Sequence, residues 1–332
     1  MAEPATLKNG AAHRRRAGIG DLLDSGAGRN LGLVAVLLIL GIVGVATADT
    51  FLTTSNLLTI LTSASIIGVI TVGVTFVIIG GGIDLSVGKV MALASVWATT
   101  VATQSYGPFV MILCALAVGT GAGLVNGLLI AYGRIVPFIV TLAALISAQG
   151  LAEQISGRRS QIVTDQTIAS IATTRLLGIP LLVFIFAAVV AVGWVVLNRT
   201  TFGRRTFAIG GNPEAARLAG LDVKRHTVAL YALSGLCCGI AAIMIASLTT
   251  TGSSTHGTLY ELDAIAAVII GGTLLSGGRG TLIGSILGVL VFTVITNLFV
   301  LNNLATEVQN IAKGVIIVVA VLIQARARRS SA

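Results

Sequence analysis

Residues 77–89 read VIIGGGIDLSVGK, and residues 268–279 read VIIGGTLLSGGR. Each segment begins with branched apolar residues, changes to glycines, and continues with Leu-Ser and, three residues after the serine, one cation. Irregular backbone at membrane depth is tolerated only where it packs against protein or lines a polar cavity. If the flanking residues span a membrane, both segments predict a broken helix beside such a cavity.

The composition of the chain is typical of a membrane protein. The 332 residues are 55% hydrophobic and 10% charged, whereas about 25% of the residues of a soluble domain are charged. The three cysteines, Cys114, Cys237 and Cys238, lie inside apolar runs, so neither a disulfide framework nor a metal site is indicated. The composition therefore predicts an all-α polytopic membrane protein with glycine-broken helices.

A helix that crosses the hydrocarbon needs about 20 mostly apolar residues. On that rule the chain divides into about ten spans between basic tails at residues 1–30 and 326–332. The predicted spans of this 31–325 transmembrane domain are 31–48, 57–79, 86–104, 108–131, 135–154, 178–197, 226–250, 261–277, 281–300 and 309–325.

The Lys and Arg residues predict the orientation, because short cytoplasmic connections are enriched in cations. The long external connection contains three arginines, Arg158, Arg159 and Arg175. Lys313 falls within the last span. Every other Lys and Arg, Lys89 included, falls on the side of the N-terminus. We therefore expect both termini in the cytoplasm. The excess of cations in cytoplasmic connections also accounts for the net charge of +9, so no nucleic-acid partner is needed to explain that charge.

Motifs typical of enzymes are incomplete. The segment at residues 80–89 lacks the first glycine of a phosphate-binding loop and has Val90 where Ser or Thr would bind magnesium. Leu275–Arg279 resembles the signature of ATP-binding-cassette ATPases, but no phosphate-binding loop accompanies it. Ser254 and His256 lie in a short polar loop without a third group that would orient a catalytic base. The sequence therefore does not favour an enzyme.

Four stretches resemble one family. GGGIDLSVGK at 80–89, VPFIVTLAAL at 136–145, FGRRTFAIGGNPEAARLAGLDV at 202–223 and ELDAIAAVIIGGTLLSGGRGTLIGSILGVL at 261–290 are similar to permease subunits of bacterial ATP-binding-cassette importers for simple sugars. The resemblance is to the ribose, xylose, arabinose and galactose group, and it covers nearly all of residues 31–325.

The resemblance implies a multi-pass protein of the bacterial cytoplasmic (inner) membrane that carries a neutral monosaccharide. The implied partners are a second permease copy, an ATPase with two nucleotide-binding domains, an extracytoplasmic sugar-binding protein and membrane lipid. ATP and Mg would be bound by the ATPase, and this chain would hold no cofactor. Which sugar is carried, and whether the two permeases are identical, stays open. An ion-coupled secondary carrier is the alternative, but such carriers need ionisable groups inside the membrane, where Asp84 stands almost alone.

The glycine breaks indicate where the pathway lies, since transporters bind polar solutes at broken helices. Asp84 has two compatible roles, as a helix cap and as a group in the pathway. Ser95, Thr99 and Thr103 repeat at four-residue spacing and place hydroxyls on one helix face, where they serve either helix packing or the solute. The predicted pathway residues are Gly81, Gly82, Asp84, Ser86, Ser95, Thr99, Gly271, Gly272 and Ser276.

The longest cytoplasmic connection, residues 198–225, resembles the E-A-A-x-x-x-G element with which importer permeases dock into their ATPase. Here Glu214, Ala215, Ala216, Arg217 and Gly220 supply the pattern, while the Ile and Leu-Pro that follow it in the family are missing. Asn212 is suited to cap a short helix that Gly220 would end. The alternative is a solvated surface helix without a partner.

Two further glycine series predict close helix packing rather than a site. They follow G-x-x-x-G spacing and comprise Gly119, Gly123 and Gly127 in one span and Gly280, Gly284 and Gly288 in another.

Overall fold

The computed structural model describes residues 26–330, and regular structure in this part of the chain is almost entirely helical. The helices are α1 (Gly26–Thr47), α2 (Thr54–Ile79), α3 (Val87–Ala98), α4 (Val101–Gln104), α5 (Pro108–Ala131), α6 (Pro137–Ser156), α7 (Gln166–Thr173), α8 (Leu181–Arg199), α9 (Thr201–Gly211), α10 (Pro213–Leu218), α11 (Val223–Thr249), α12 (Tyr260–Ile270), α13 (Leu282–Leu301) and α14 (Thr306–Ser330). Two small antiparallel sheets pair β1 (Gln161–Ile162) with β4 (Thr251–Gly252) and β2 (Arg175–Leu176) with β3 (Ile179–Pro180).

The bundle has two buried central helices and an apolar outer layer. Within the described residues, seven helices are long and apolar enough to cross a membrane, namely α1, α2, α5, α6, α8, α11 and α13. The apolar windows of α2 and α11 are 83% and 67% buried, whereas that of α1 is only 11% buried. Exposed apolar side chains on the outer helices need lipid or another protein around them. The polytopic membrane fold is therefore confirmed at the level of these seven helices.

Two of the predicted spans are wrong as continuous helices. The span predicted at 86–104 is broken after Ala98, where Thr100 is extended and its hydroxyl accepts the Thr103 N–H as the N-cap of the separate short helix α4. The span predicted at 261–277 ends at Ile270. At 1.5 Å per residue, α3 and α12 are about 18 and 16 Å long, too short for a hydrocarbon core of about 30 Å. Both are half-length helices.

The predicted basic tails lie partly outside the described residues. Of the predicted N-terminal tail, residues 1–25 are outside this range, and 26–30 already belong to α1. The predicted C-terminal tail begins inside α14, which continues to Ser330.

The prediction that the glycine series serve helix packing is confirmed. A methyl group on Gly119 would lie 2.3 Å from the Gly235 carbonyl oxygen, and one on Gly123 would lie 2.2 Å from the Tyr231 carbonyl oxygen, so α5 and α11 touch backbone to backbone. A methyl group on Gly284 would lie 2.1 Å from the Gly271 carbonyl oxygen, so α13 packs closely against the end of α12. Small residues at this spacing allow helices to approach closely.

The two ends of the bundle differ. One end carries the short strands and residues 157–180 and 250–259, and we call it the strand end. The opposite end carries α9 and α10 with Arg204, Arg205 and Arg217, and we call it the basic end. The assignment of Lys89 to the side of the N-terminus is wrong. Its ammonium donates to the Thr258 hydroxyl at 2.9 Å, in a connection of the strand end that folds back against the start of α3.

Candidate functional site

The two quoted segments adopt the same local structure where they leave their helices. At the end of α2, the Gly81 N–H donates to the Ile78 carbonyl and the Gly82 N–H to the Val77 carbonyl, both at 2.9 Å, with Gly81 at φ +84°. At the end of α12, Gly272 and Thr273 repeat these two bonds, and Gly272 has φ +82°. This is the Schellman stop, which needs a left-handed residue that glycine supplies without a side-chain penalty.

The first break closes a helix instead of interrupting one. Helix α2 has 26 residues before the glycines, about 39 Å of helix, which is enough to cross the membrane. The following residues are extended and lead into the half-length helix α3. The glycines that were predicted to interrupt the second span therefore mark its end, and the chain then turns back into the bundle.

Asp84 lies in this extended segment and is 2% exposed. One carboxylate oxygen accepts the Ser86 N–H at 3.0 Å and the Ser86 hydroxyl at 2.6 Å, and the other accepts the Ser234 hydroxyl at 2.9 Å. Asn126 donates to the Ser86 hydroxyl at 3.0 Å. Asp84 therefore ties the segment before α3 to α11 and, through Ser86, to α5.

Tyr231 supports the same segment from α11. Its hydroxyl donates to the Ile83 carbonyl at 3.0 Å, and a methyl group on Gly82 would lie 2.6 Å from the Tyr231 hydroxyl oxygen. Because Gly82 has no side chain, there is room for the Tyr231 hydroxyl beside it. A larger residue at position 82 would displace either the tyrosine or the segment.

The two breaks meet at the basic end. The Gly278 N–H donates to the Ile79 carbonyl at 2.8 Å, which satisfies an otherwise free carbonyl at the end of α2. A methyl group on Gly277 would lie 2.8 Å from the Gly81 Cα and from the Gly210 carbonyl oxygen. Gly81, Gly210, Gly277 and Gly278 therefore form one backbone contact, which we call the glycine junction.

Helix α9 carries Gly210 into this junction and is held to the core by aromatic residues. The Phe202 ring lies 6.2 Å from the Phe76 ring and 4.5 Å from the His226 ring, centroid to centroid. The Thr206 hydroxyl is 2.9 Å from His226 Nε2. Helix α9 is therefore held against both α2 and α11.

The other predicted pathway residues are spread along the molecule. The Ser95 hydroxyl donates to the Ala92 carbonyl and lies 3.4 Å from His256 Nδ1, and the Thr99 hydroxyl lies 3.1 Å from Gln161 Oε1. Both face the connections of the strand end. Thr99 follows Ser86 by thirteen residues, so they are separated by about 20 Å along the helix axis.

The second break contributes two packed glycines and one exposed serine. Gly271 and Gly272 are buried, with Gly271 against the backbone of Gly284, whereas Ser276 is exposed at the tip of the turn at the basic end. The structure therefore brings Gly81 to the second break but leaves the Ser276 side chain outside the bundle.

Sequence reasoning missed the groups that complete the Asp84 network and the glycine junction. Ser234, Tyr231 and Gly210 come from distant segments and carry no local pattern. Asn126 offered a usable clue, because it is the one amide in an otherwise apolar span, and a buried amide requires partners.

The connection between α8 and α11 forms the predicted capped helix. Asn212 accepts the Ala215 N–H at 2.9 Å, and Gly220 ends α10 with φ +83°. Glu214 and Arg217 form an exposed ion pair. The hydrogen bonds and positive charge of the Arg217 guanidinium lower the pKa of Glu214.

One expectation about this helix needs correction. Ala215 is exposed, but Ala216 is 5% exposed and packs inside this chain, so it is not available to a partner surface. Leu218 is instead 77% exposed on the same helix.

A bundle of membrane-length helices with two half-length helices at glycine breaks defines a multi-pass membrane protein of the transporter class. The chain belongs to the family described as the permease component of branched-chain amino acid transport systems, whose family model matches residues 56–321. It is therefore a permease of the bacterial inner membrane.

Curated relatives with similar sequences are sugar import permeases. The ribose import permease protein RbsC of Haemophilus influenzae is 37% identical over 294 residues, covering 87% of this chain and 90% of the relative. RbsC of Bacillus subtilis is 38% identical, covering 88% of this chain and 90% of the relative. The galactose/methyl galactoside import permease protein MglC of Escherichia coli is 38% identical, covering 87% and 92%. The family resemblance inferred from the four stretches is confirmed. No solved structure gives a significant match to this chain.

Proposed function

We propose that this protein is the transmembrane permease subunit of an ATP-binding-cassette importer and provides the translocation pathway for a neutral monosaccharide. The observation that carries the proposal is the similarity to ribose and galactose import permeases over 87% of the chain. The two half-length helices beside the glycine breaks support it, because transporters place discontinuous helices at their solute pathway.

The proposed complex divides the work among its subunits. An extracytoplasmic binding protein delivers the sugar to the strand end, and an ATPase with two nucleotide-binding domains binds ATP and Mg and hydrolyses the nucleotide at the basic end. This chain holds no cofactor and is not itself an enzyme. A second permease copy, identical or different, completes the transmembrane part, and lipid surrounds the outer helices.

Helix α10 is the proposed contact with the ATPase. The Ala215 and Leu218 side chains are exposed on it, and Asn212 and Gly220 fix its two ends. Leu218 would insert into a cleft of the ATPase, where burial of a leucine contributes about 1.5–3 kcal/mol. The neighbouring arginines fit a cytoplasmic location for this end.

The glycine junction is the proposed route from the ATPase to the pathway. Only the extended residue Asn212 separates α9 from α10, and Gly210 of α9 contacts both breaks. A movement of α10 would shift α9 as a rigid element and change the spacing between Gly81 and Gly277. The Asp84 network would hold the start of α3 in place while the breaks separate at the basic end.

The class of transporter is tested by uptake in a strain that lacks its own pentose and hexose importers. The chain is expressed with and without an ATPase and a binding protein encoded beside it, and uptake of radiolabelled ribose, xylose, arabinose and galactose is measured. We expect uptake only with all three components. Uptake by the chain alone under an imposed proton or sodium gradient would establish the ion-coupled carrier instead.

The docking contact is tested by Leu218→Glu. The expected result is loss of co-purification with the ATPase, because a carboxylate replaces the apolar anchor. Leu177→Glu is the matched control, since Leu177 is 97% exposed at the strand end and the same charge is introduced there. If the ATPase co-purifies equally well with Leu218→Glu, α10 is not the docking element.

A further inference from the structure

The connection from α11 to α12 enters the bundle instead of crossing its surface. Its residues 253–259 read SSTHGTL and are neither helical nor extended in a sheet. A methyl group on Gly252 would lie 2.6 Å from the Ser95 carbonyl oxygen, and one on Gly257 would lie 2.5 Å from the Gly88 carbonyl oxygen. Ser95 and Gly88 are seven residues apart in α3, about 10 Å along its axis. The connection therefore descends along α3 from the strand end, and we call residues 253–259 the re-entrant segment.

The packing of α12 on α13 gives the same depth. Gly288 of α13 packs against the Ala267 carbonyl of α12. Gly288 follows the first residue of α13 by six positions, and Ala267 follows the first residue of α12 by seven, so antiparallel packing places the start of α12 about 20 Å from the basic end. Helix α13 has 20 residues and is about 30 Å long. The re-entrant segment therefore ends about 10 Å below the strand end of α13, within the apolar length of the bundle.

The re-entrant segment presents polar groups on the outside of this chain at that depth. Thr255 and Thr258 are exposed, and Lys89 beside them is partly exposed. Lys89 Nζ donates to the Thr258 hydroxyl at 2.9 Å, and that hydroxyl donates to the Thr255 carbonyl at 2.8 Å. Among the described residues, the bond to Thr258 occupies one of the three N–H donors of the ammonium. The other two donors are left for a ligand.

Contacts on the inner side hold the re-entrant segment in place. His256 lies between α3 and α11, with Nδ1 3.4 Å from the Ser95 hydroxyl and Nε2 3.4 Å from the Thr249 hydroxyl. Ser253 and Ser254 are buried. The exposed threonines are therefore carried by a packed turn and keep a fixed position relative to Lys89.

Lipid is a poor cover for this surface. Non-helical backbone at membrane depth occurs where it packs in protein or lines a water-filled cavity, and charged side chains at that depth are costly and mark solute pathways. Thr255, Thr258 and Lys89 are exposed or partly exposed, so this chain does not bury them. Water on the solute pathway meets both requirements.

The charges around this surface balance. Lys89 interacts electrostatically with Glu261 and Glu153, and Glu153 forms an ion pair with Arg158. Two cations and two carboxylates leave no net charge for a ligand to neutralise. An ion of either sign would be left uncompensated, whereas the hydroxyls of a neutral solute can accept from the ammonium and donate to threonine oxygens.

From these observations we infer that Lys89, Thr255 and Thr258 form a hydroxyl-binding step in the strand-end half of the pathway, where a neutral polyhydroxylated solute exchanges water for protein hydrogen bonds. The three groups lie on an open surface, so the contact is made in passing and not in a closed pocket. The inference rests on the proposed function and adds three residues to the pathway that the sequence did not indicate.

The first test asks whether water and solute reach the re-entrant segment. Thr255→Cys, in a Cys114→Ser background, is assembled into the complex in proteoliposomes and treated with a charged methanethiosulfonate. Such reagents attack the thiolate, which forms in water and not in lipid. We expect labelling, and we expect ribose, xylose, arabinose or galactose to slow it.

Ala187→Cys in the same background is the matched control for the labelling. Ala187 is exposed on the apolar helix α8, six residues from the start of this helix and about 9 Å from the strand end. The depth is similar but the surroundings are lipid, so this cysteine should stay unlabelled with and without sugar.

The second test removes and restores the ammonium. Lys89→Cys, also in the Cys114→Ser background, should lower sugar uptake about tenfold or more, the effect of one lost hydrogen bond from a charged group to the ligand. Aminoethyl methanethiosulfonate adds an ammonium on a side chain close to lysine in length and should restore uptake. The sulfonatoethyl reagent adds a sulfonate and should not. Lys89→Arg, which keeps charge and donors, should retain uptake.

The outcomes separate this inference from the proposed function. Labelling of Thr255→Cys that sugar slows, together with rescue of Lys89→Cys by the ammonium reagent, supports the inference. If the wild-type complex takes up sugar but Thr255→Cys is unlabelled or unprotected, or Lys89→Cys has normal uptake, the segment is covered by a second polypeptide or the sugar passes elsewhere, and this inference fails alone. If the wild-type complex takes up none of the four sugars under ATP, the proposed function itself fails.

Discussion

Replacing Gly210 by Ala adds one methyl group at the point where α9 touches both breaks. The new Cβ would lie 1.8 Å from the Ile79 carbonyl oxygen and 2.7 Å from the Gly278 nitrogen. Both neighbours are backbone atoms, so no side-chain rotation can relieve the overlap. The closest separation has to grow from 1.8 Å to the 3.4 Å of an ordinary contact, and α9 and α2 have to move apart by about 1.6 Å.

The cost follows from three contributions. Overpacking of this kind costs about 1–3 kcal/mol. Loss of the Gly278 hydrogen bond to Ile79 costs about 1 kcal/mol, and the higher helix propensity of alanine offsets up to about 1 kcal/mol. We therefore expect Gly210→Ala to lower the free energy of unfolding by about 1–4 kcal/mol.

Sugar transport should decrease far more than stability. With α9 displaced, the movement of α10 no longer reaches Gly81 and Gly277, so sugar uptake and the binding-protein stimulation of ATP hydrolysis are both lost. Co-purification of the ATPase should persist, because the docking residue Leu218 is unchanged. The assay is reconstitution with ATPase and binding protein, with uptake and hydrolysis measured on the same vesicles.

Gly211→Ala is the matched control for this change. It lies one residue further along α9, and a methyl group there would meet no atom within 4 Å. Its uptake and stability should equal those of the wild type. Wild-type uptake by Gly210→Ala, or equal losses in both variants, would refute the role of the glycine junction in coupling.

Two further predictions concern Asp84 and the orientation of the chain. Asp84→Asn should keep fold and uptake, because the amide oxygen still accepts from Ser86 and the amide N–H can donate to the Ser234 hydroxyl, whereas Asp84→Ala leaves buried donors unpaired at a cost of about 1–3 kcal/mol each. Thermal stability and uptake of both variants decide this, and a stable but inactive Asn variant would assign the mechanism to the charge itself. In a topology assay, a cysteine at Ser160 should react with an impermeant reagent from outside the cell and one at Ala208 should not; the reverse pattern would invert the proposed orientation.

Local features of the candidate site were predictable from the sequence. The Asn212 cap, the Gly220 stop and the two glycine stops after Ile79 and Ile270 depend on bonds between residues two to five positions apart. Such bonds form wherever the residue types occur in that order. The predicted capped helix after Asn212 and both glycine breaks are therefore present where the sequence places them.

The partners of those features were not predictable. Nothing near Asp84 indicates Ser234 in α11, and nothing in α9 indicates that Gly210 contacts Gly277. These pairs depend on how the helices pack, and a buried carboxylate accepts whichever donor the packing brings. The burial of Ala216 and the contact of Lys89 with Thr258 could not be predicted for the same reason, because both depend on how separate segments pack together.

The sequence by itself determined that this chain is a polytopic helical membrane protein, because hydropathy over twenty residues and the spacing of small residues act within single helices. The span predicted at 108–131 coincides with α5. Only the tertiary structure decided that α3 and α12 are half-length helices, since an extended segment packed inside protein has the same apolar composition as a helix facing lipid. It also decided that Lys313 meets Asp263, because these two residues lie on separate helices, α14 and α12, which only the packing brings together.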